Sequence, residues 1–260
     1  MKMIKKSLIN YQMLTVLIIS LSTLLFEMAY NLHFFSDYFN GYKTCSLKIV
    51  YSVYALSIYS LIAGMFPALP YSFSVADEKR SGVLRLELIR YGYRKYIRNK
   101  ILAVGLSGMI SALLPYTVVV VLANLFGSHT IDSNTINNME HLVWRPFARL
   151  QNGSMIIYLL KGVLMALFGI LWAELALLIS LYIRNRYVAY ILPFIIYMFL
   201  HVATINIGWL TYSNPRFMIR YDERFGAPLV LPFVAFVIYI LITIVVSNLR
   251  FRRMVENGEF

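Results

Sequence analysis

Three groups of residues in this chain have types and spacings that can do chemistry. Gly105-Leu106-Ser107-Gly108 sets a hydroxyl among small residues inside an apolar run, and His201 is the histidine inside another such run. A serine and a histidine brought within about 3 Å of each other make a nucleophile and its base. Glu174 falls in the stretch GILWAELALLIS, where a carboxylate needs a partner, a cavity or a proton to be tolerated. Finally, residues 74–100 read SVADEKRSGVLRLELIRYGYRKYIRNK and hold eight of the chain's 24 Lys and Arg residues: Lys79, Arg80, Arg85, Arg90, Arg94, Lys95, Arg98 and Lys100. Apolar Val83, Leu84, Leu86, Leu88 and Ile89 are threaded among them, so the stretch is not a simple solvated linker.

The elements that must position these groups follow from composition. The 260 residues are 60% hydrophobic and 14% charged, with a mean hydropathy of +0.67. Soluble domains are nearer about 45–50% apolar and about 25% charged. Apolar runs of about 20 residues recur, the length that carries a helix across a bilayer core. The expected fold is therefore all-α and integral to a membrane. The formal charge of +12 does not call for nucleic acid, because Lys and Arg gather on the cytoplasmic side of membrane proteins. The single cysteine, Cys45, excludes an intramolecular disulfide and any multi-cysteine metal site.

Six spans are predicted, near 11–30, 49–73, 101–126, 155–183, 188–209 and 229–249. Lys2, Lys5 and Lys6 precede the first run as they would in a signal peptide, but the run is long and lacks a small-x-small cleavage site. It reads as a retained span. An even number of spans puts both termini on one side. That side carries sixteen cations: three at the N-terminus, eight in 74–100, then Arg184, Arg186, Arg250, Arg252 and Arg253. Lys43, Lys48, Arg145, Arg149, Lys161, Arg216, Arg220 and Arg224 make eight on the other. The richer side faces the cytoplasm. The segment 127–154 is then an external polar loop, with turn formers at Asp132-Ser133-Asn134, and 210–228 is a second external connection. The whole chain, 1–260, forms one transmembrane domain.

The positive-inside bias explains the charge of the 74–100 loop but not its apolar residues. If 82–90 is helical, Leu84 and Leu88 stack four apart, while Val83, Leu86 and Ile89 follow spacings of three. One outcome is a helix lying in the headgroups, with Tyr91, Tyr93 and Tyr96 in the aromatic belt. The other is a docking surface for a cytoplasmic protein.

These residues carry a resemblance. Glu78-Lys-Arg-Ser-Gly82, the apolar-charged run to Ile89, Arg94 and then Lys100 entering the third span resemble the cytoplasmic loop of type-2 permeases of ATP-binding cassette exporters. Val83 stands where that family usually has Thr, and Gly92 stands near its usual Pro. Six spans, cytoplasmic termini and chain length agree at the level of layout. The resemblance implies a short coupling helix between the second and third spans, seated in a groove of a separate cytoplasmic ATPase. Glu78, Gly82, Leu84, Arg85, Leu86 and Leu88 are its implied contact residues, with the leucines apolar and Glu78 and Arg85 pairing by charge. It further implies a second permease subunit in a homo- or heterodimer, and transport by alternating access in a prokaryotic plasma membrane. The cargo class would be a lipid, an amphipathic peptide or a drug-like molecule. The chain holds no G-x-x-x-x-G-K-[ST] phosphate-cradling loop, so ATP and Mg²⁺ belong to the partner, and this chain is expected to bind no cofactor and to do no covalent chemistry.

Two other classes stand beside this reading: a membrane-embedded enzyme and a docking subunit that does not transport. Gly-Leu-Ser-Gly at 105–108 resembles the nucleophile motif of rhomboid intramembrane proteases, and a lipid-modifying enzyme is the other form of this class. Depth opposes a Ser107–His201 pair, because Ser107 lies about 9 Å and His201 about 20 Å from the same membrane face at about 1.5 Å per residue. Gly-x-Ser-Gly in a membrane helix otherwise serves as a small-residue packing face. His33, His129 and His141 have no metal-ligand spacing. Glu174 either lines the transport path or makes a structural hydrogen bond.

Overall fold

The structure is a computed structural model and describes residues 2–31, 33, 37, 39–41, 44–128, 153–183, 185–205, 207, 214–216 and 230–258. Most of the expected external segments 127–154 and 210–228 lie outside the described residues, as do Arg184, His129 and His141. Among the described residues there is no strand. The helices are α1 (Lys2–Leu8), α2 (Tyr11–Phe26), α3 (Ser46–Leu56), α4 (Ile58–Ile62), α5 (Ser74–Arg80), α6 (Val83–Tyr91), α7 (Tyr93–Phe126), α8 (Gly153–Tyr182), α9 (Arg186–Ile205) and α10 (Val230–Glu256). A π-helical turn, Glu27–Asn31, continues α2.

Among the described residues five helices are long and apolar enough to cross a membrane: α2 with its π turn, α7, α8, α9 and α10. Their outer faces remain apolar. Ile18, Leu102, Val121, Leu159, Phe199, Leu241 and Val245 are exposed, a pattern that suits hydrocarbon and would be a liability in water. The chain is thus an all-helical protein of multi-pass membrane character. At 34 residues, α7 is about 51 Å long against a hydrocarbon core of about 30 Å. It begins at Tyr93 rather than at the expected 101, so part of the basic loop is the projecting end of a span.

The second expected span, 49–73, is not one helix. The chain is helical over Ser46–Leu56 and Ile58–Ile62, then takes a single 3₁₀ turn at Phe66–Ala68. Ser57 is extended (φ −67°, ψ 153°). Beyond it Pro67 and Pro70 lack the N–H that would continue a helix. Neighbouring protein satisfies what the breaks release. Tyr197 on α9 donates its hydroxyl to Ser60 O at 2.5 Å, and Ser180 on α8 donates to Ser72 O at 3.2 Å. Irregular backbone at membrane depth is tolerated where protein buries it in this way. At one end of this segment Ser46 N donates to Ser128 O at 3.1 Å. At its other end the ring of Tyr71 lies under Lys100. The broken segment therefore starts beside the end of α7 and finishes near its beginning, antiparallel to it.

Helices α7 and α8 cross at glycine. A Cβ on Gly108 of α7 would meet Gly169 O at 2.3 Å, and one on Gly169 of α8 would meet Gly108 O at the same distance. Ala112 and Ala173 flank the crossing. Only residues without side chains let the two backbones approach this far. Away from the crossing, an aromatic core joins Tyr54, Tyr59, Tyr116, Phe168, Trp172, Tyr197 and Phe236. A second cluster forms at the basic end from Tyr71, Val75, Leu84, Tyr96, Ile97, Leu181, Phe251 and Met254, with Met3 of α1 packed against it. The first helix, the basic stretch and the tail of α10 thus share one core.

Candidate functional site

The basic stretch folds into two short helices and the start of α7, with a glycine at each corner. Gly82 (φ 71°) ends α5 and begins α6, while Gly92 (φ 72°) separates α6 from α7. A Cβ at either would meet nothing within 4 Å. The requirement is therefore conformational: positive φ strains other residues. Ser81 closes α5 by donating its hydroxyl to Asp77 O at 2.9 Å. Gly92 N closes α6 on Leu88 O at 2.9 Å. The expected helix over 82–90 is observed one residue later, over Val83–Tyr91.

The two leucine spacings resolve into two faces of α6. Leu84 is fully buried in the basic-end core, and Leu88 is half-buried against the same cluster. Val83, Leu86 and Ile89 point away from it with 40%, 67% and 76% of their surface exposed. Arg85 and Arg90 are exposed beside them. Sequence reasoning assigned Leu84, Leu86 and Leu88 together to a partner's surface. The structure leaves Leu86 and Arg85 exposed, and turns Leu84 inward to hold the helix down.

Glu78 is also turned inward. Its Oε1 accepts from Lys100 Nζ at 2.7 Å, and the pair is largely buried, with Lys100 at 0% exposure. The Tyr96 hydroxyl donates to the other oxygen, Oε2. Lys100 Nζ also lies 4.6 Å from the centre of the Tyr71 ring and 5.8 Å from that of Tyr96. Tyr96 stacks on Phe251 of α10 at 5.5 Å. One carboxylate thereby ties α5 to α7 and, through Tyr96, to α10. Glu78, expected from the resemblance to pair by charge with a partner, makes these bonds within the chain. Lys79, one position along, is only partly covered. The spacing of 78, 96 and 100 gave no local sign of this node, because no single helix contains the three residues.

Glu174 lies on α8 beside the glycine crossing, 1% exposed. Its Oε1 abuts Gly105, where a Cβ would stand 3.2 Å away. Its Oε2 is buried with no hydrogen-bond partner among the described residues. A carboxyl group in such a position needs a partner, a cavity or a proton to be tolerated.

Ser107 and His201 are not brought together. Ser107 is buried and donates to Val104 O of its own helix at 2.8 Å. It belongs to the face of α7 that carries Gly105 and Gly108. His201 is held in a different cluster, its Nδ1 3.1 Å from Asn214 Oδ1 and its Nε2 3.3 Å from Arg216 Nη1. A guanidinium only donates, so Nε2 accepts and Nδ1 carries the proton toward Asn214. Asn214 Nδ2 returns a bond to His201 O at 3.1 Å. The His201 ring nitrogens are thus engaged away from Ser107. Among the described residues no group of three His, Cys, Asp or Glu could hold a metal ion.

No protein-family model, no curated protein and no solved structure matches this chain.

Proposed function

We propose that the chain is the membrane-spanning permease subunit of an ATP-binding cassette exporter, and that α6 is where a separate cytoplasmic ATPase docks. The observation that carries this reading is the division of α6 into an outward apolar face, Val83, Leu86 and Ile89 flanked by Arg85 and Arg90, and an inward face locked by Leu84. A helix that only floated in headgroups would need no buried ion pair behind it. This one is backed by Glu78–Lys100 and by the stacking of Tyr96 on Phe251.

Force applied to α6 passes through Leu84 and the Glu78–Lys100 pair to the projecting end of α7. From there the glycine crossing at Gly108 and Gly169 conveys it to α8, the helix that holds Glu174. Packed glycine contacts are stiff because any shift is met at once by backbone. In this arrangement the two glycine corners at 82 and 92 let the short helix turn as a unit. ATP and Mg²⁺ act on the partner, and this chain contributes the path and its movement. The basic end, with α1, the 74–100 stretch and the tail of α10, faces the cytoplasm of a prokaryotic cell, and a second permease subunit completes the pathway. The broken 46–73 segment serves as the sixth crossing. The cargo is of lipid, amphipathic peptide or drug-like class, consistent with the apolar spans.

The test is co-purification with the ATPase encoded nearest the gene. Leu86→Asp with Ile89→Asp is expected to leave folded permease and to abolish recovery of the ATPase and ATP-dependent transport. Undiminished recovery with normal transport would defeat the docking role. Hydrolytic activity from the purified chain alone would instead favour an enzyme, and ATPase capture without transport would favour a docking subunit.

A further inference from the structure

Between α7 and α10 a groove of about 870 Å³ opens at the basic end of the bundle, within the roughly 300–1,000 Å³ typical of ligand sites. Its two walls are graded in the same sense. Along α7 the lining runs from Arg94, Lys95 and Arg98 to Ile101 and Leu102, at spacings of three and four that keep one face. Along antiparallel α10 it runs from Arg252 through Asn248 to Val245. Cations therefore face cations at the mouth, and aliphatic side chains face each other below.

The charges at this mouth are not consumed by the fold. Lys95 and Arg98 are exposed and form no ion pair among the described residues. Arg94 donates to the hydroxyl of its neighbour Tyr93 at 3.0 Å. Among the described residues Arg252 alone of the four meets an acid, Glu256, at 2.7 Å. Four cations against one carboxylate favour an anionic occupant, and the aliphatic floor favours one that also carries hydrocarbon. A second copy of this chain seated symmetrically here would set the same four cations against each other. A soluble anion would leave the lower half of the groove without a counterpart.

We infer that this groove is a binding site for an anionic phospholipid, with the phosphate and its headgroup among Arg94, Lys95, Arg98 and Arg252 and an acyl chain along Leu102 and Val245. Basic pockets between membrane helices on the cytoplasmic side take up such headgroups. The inference stands on these two helices alone and does not depend on the transporter reading. A lipid wedged there would couple α7, and so the anchor of α6, to the composition of the membrane.

The experiment is native mass spectrometry of the full chain, purified in neutral detergent and offered phosphatidylglycerol or phosphatidylcholine. Phosphatidylglycerol is expected to be retained at least about tenfold better. Lys95→Gln with Arg98→Gln is expected to reduce that retention by about tenfold or more, while Arg85→Gln with Arg90→Gln, which removes equal charge from α6, leaves it unchanged. Equal retention of the two lipids would overturn the proposal, as would an equal loss in the α6 control. Displacement of the lipid by millimolar inorganic phosphate would assign the site to a soluble anion and overturn it too. Disulfide-linked dimers of a Cys45→Ser, Leu249→Cys chain would place a second copy in the groove, with the same consequence.

Discussion

Lys100 and Glu78 stand 2.7 Å apart across a gap of 22 positions in the chain, and the lysine is wholly buried. The pair joins the start of a long span to the helix that precedes α6. Its burial sets the consequence of breaking it. Removing one partner of a buried pair leaves an uncompensated charge and costs about 3–5 kcal/mol. Replacing both partners by neutral groups of similar volume costs far less. Glu78→Gln and Lys100→Met are each expected to lower the thermal midpoint in detergent and to open 74–91 to protease. The double variant should recover most of that loss. Simple additivity of the two effects would mean that the pair is not an energetic unit.

Leu84 and Leu86 are two residues apart and face opposite ways. Leu84→Ala should destabilise the fold by about 2–5 kcal/mol, the range for truncating a buried leucine. Leu86→Ala should change stability by less than about 0.5 kcal/mol, as surface changes do. Denaturant or thermal unfolding of the two variants side by side reads the contrast. Equal effects would show that α6 is not seated as described.

At the glycine crossing, Gly108→Ala and Gly169→Ala both force backbone apart, since each added Cβ would meet a carbonyl oxygen at 2.3 Å. Overpacking of this kind costs typically about 1–3 kcal/mol and sometimes more. Gly162→Ala is the milder control, its Cβ meeting the Tyr116 ring at 3.3 Å. Monodispersity on size exclusion should fall for the first two and hold for the third. Ser107→Ala, on the same face, should leave fold and function intact because the bond Ser107 makes among the described residues is to its own helix. Loss of activity with an intact fold in that variant would revive the intramembrane nucleophile.

Glu174→Gln preserves shape and one accepting oxygen beside Gly105 while removing the ionisable group. If Glu174 lines the path of the proposed transporter, assembly and expression should be unchanged, and transport or its pH dependence should change. Loss of folded protein would mark Glu174 as a structural group whose removal leaves a buried partner unsatisfied.

The orientation is testable with Cys45→Ser chains carrying Arg85→Cys or Asn138→Cys. On intact cells an impermeant thiol reagent should label position 138 and not 85. Permeabilised cells should show both. Labelling of position 85 from outside would invert the topology.

The sequence by itself determined the membrane class, the positions of five long spans and the existence of α6. Those follow from run length, from the density of Lys and Arg and from 3.6-residue periodicity, all of which are local along the chain. It also located Glu174 and the small-residue face at 105–108, because a carboxylate or a glycine pair inside an apolar run is conspicuous without a fold. What only the tertiary structure decided is which of those features meet. Leu84 and Leu86 are chemically identical, and only the position of the core formed by Tyr71, Val75, Tyr96 and Phe251 makes one an anchor and the other a surface. Glu78 reads as an exposed acid in a basic loop until α7 delivers Lys100 and Tyr96 to it. The break in 46–73 escaped notice for a related reason. Its composition is that of a span, and the carbonyls freed by its kinks are satisfied by Tyr197 and Ser180, residues more than a hundred positions away. The groove likewise depends on α7 and α10 being neighbours, since neither helix's stripe is a site until the other faces it.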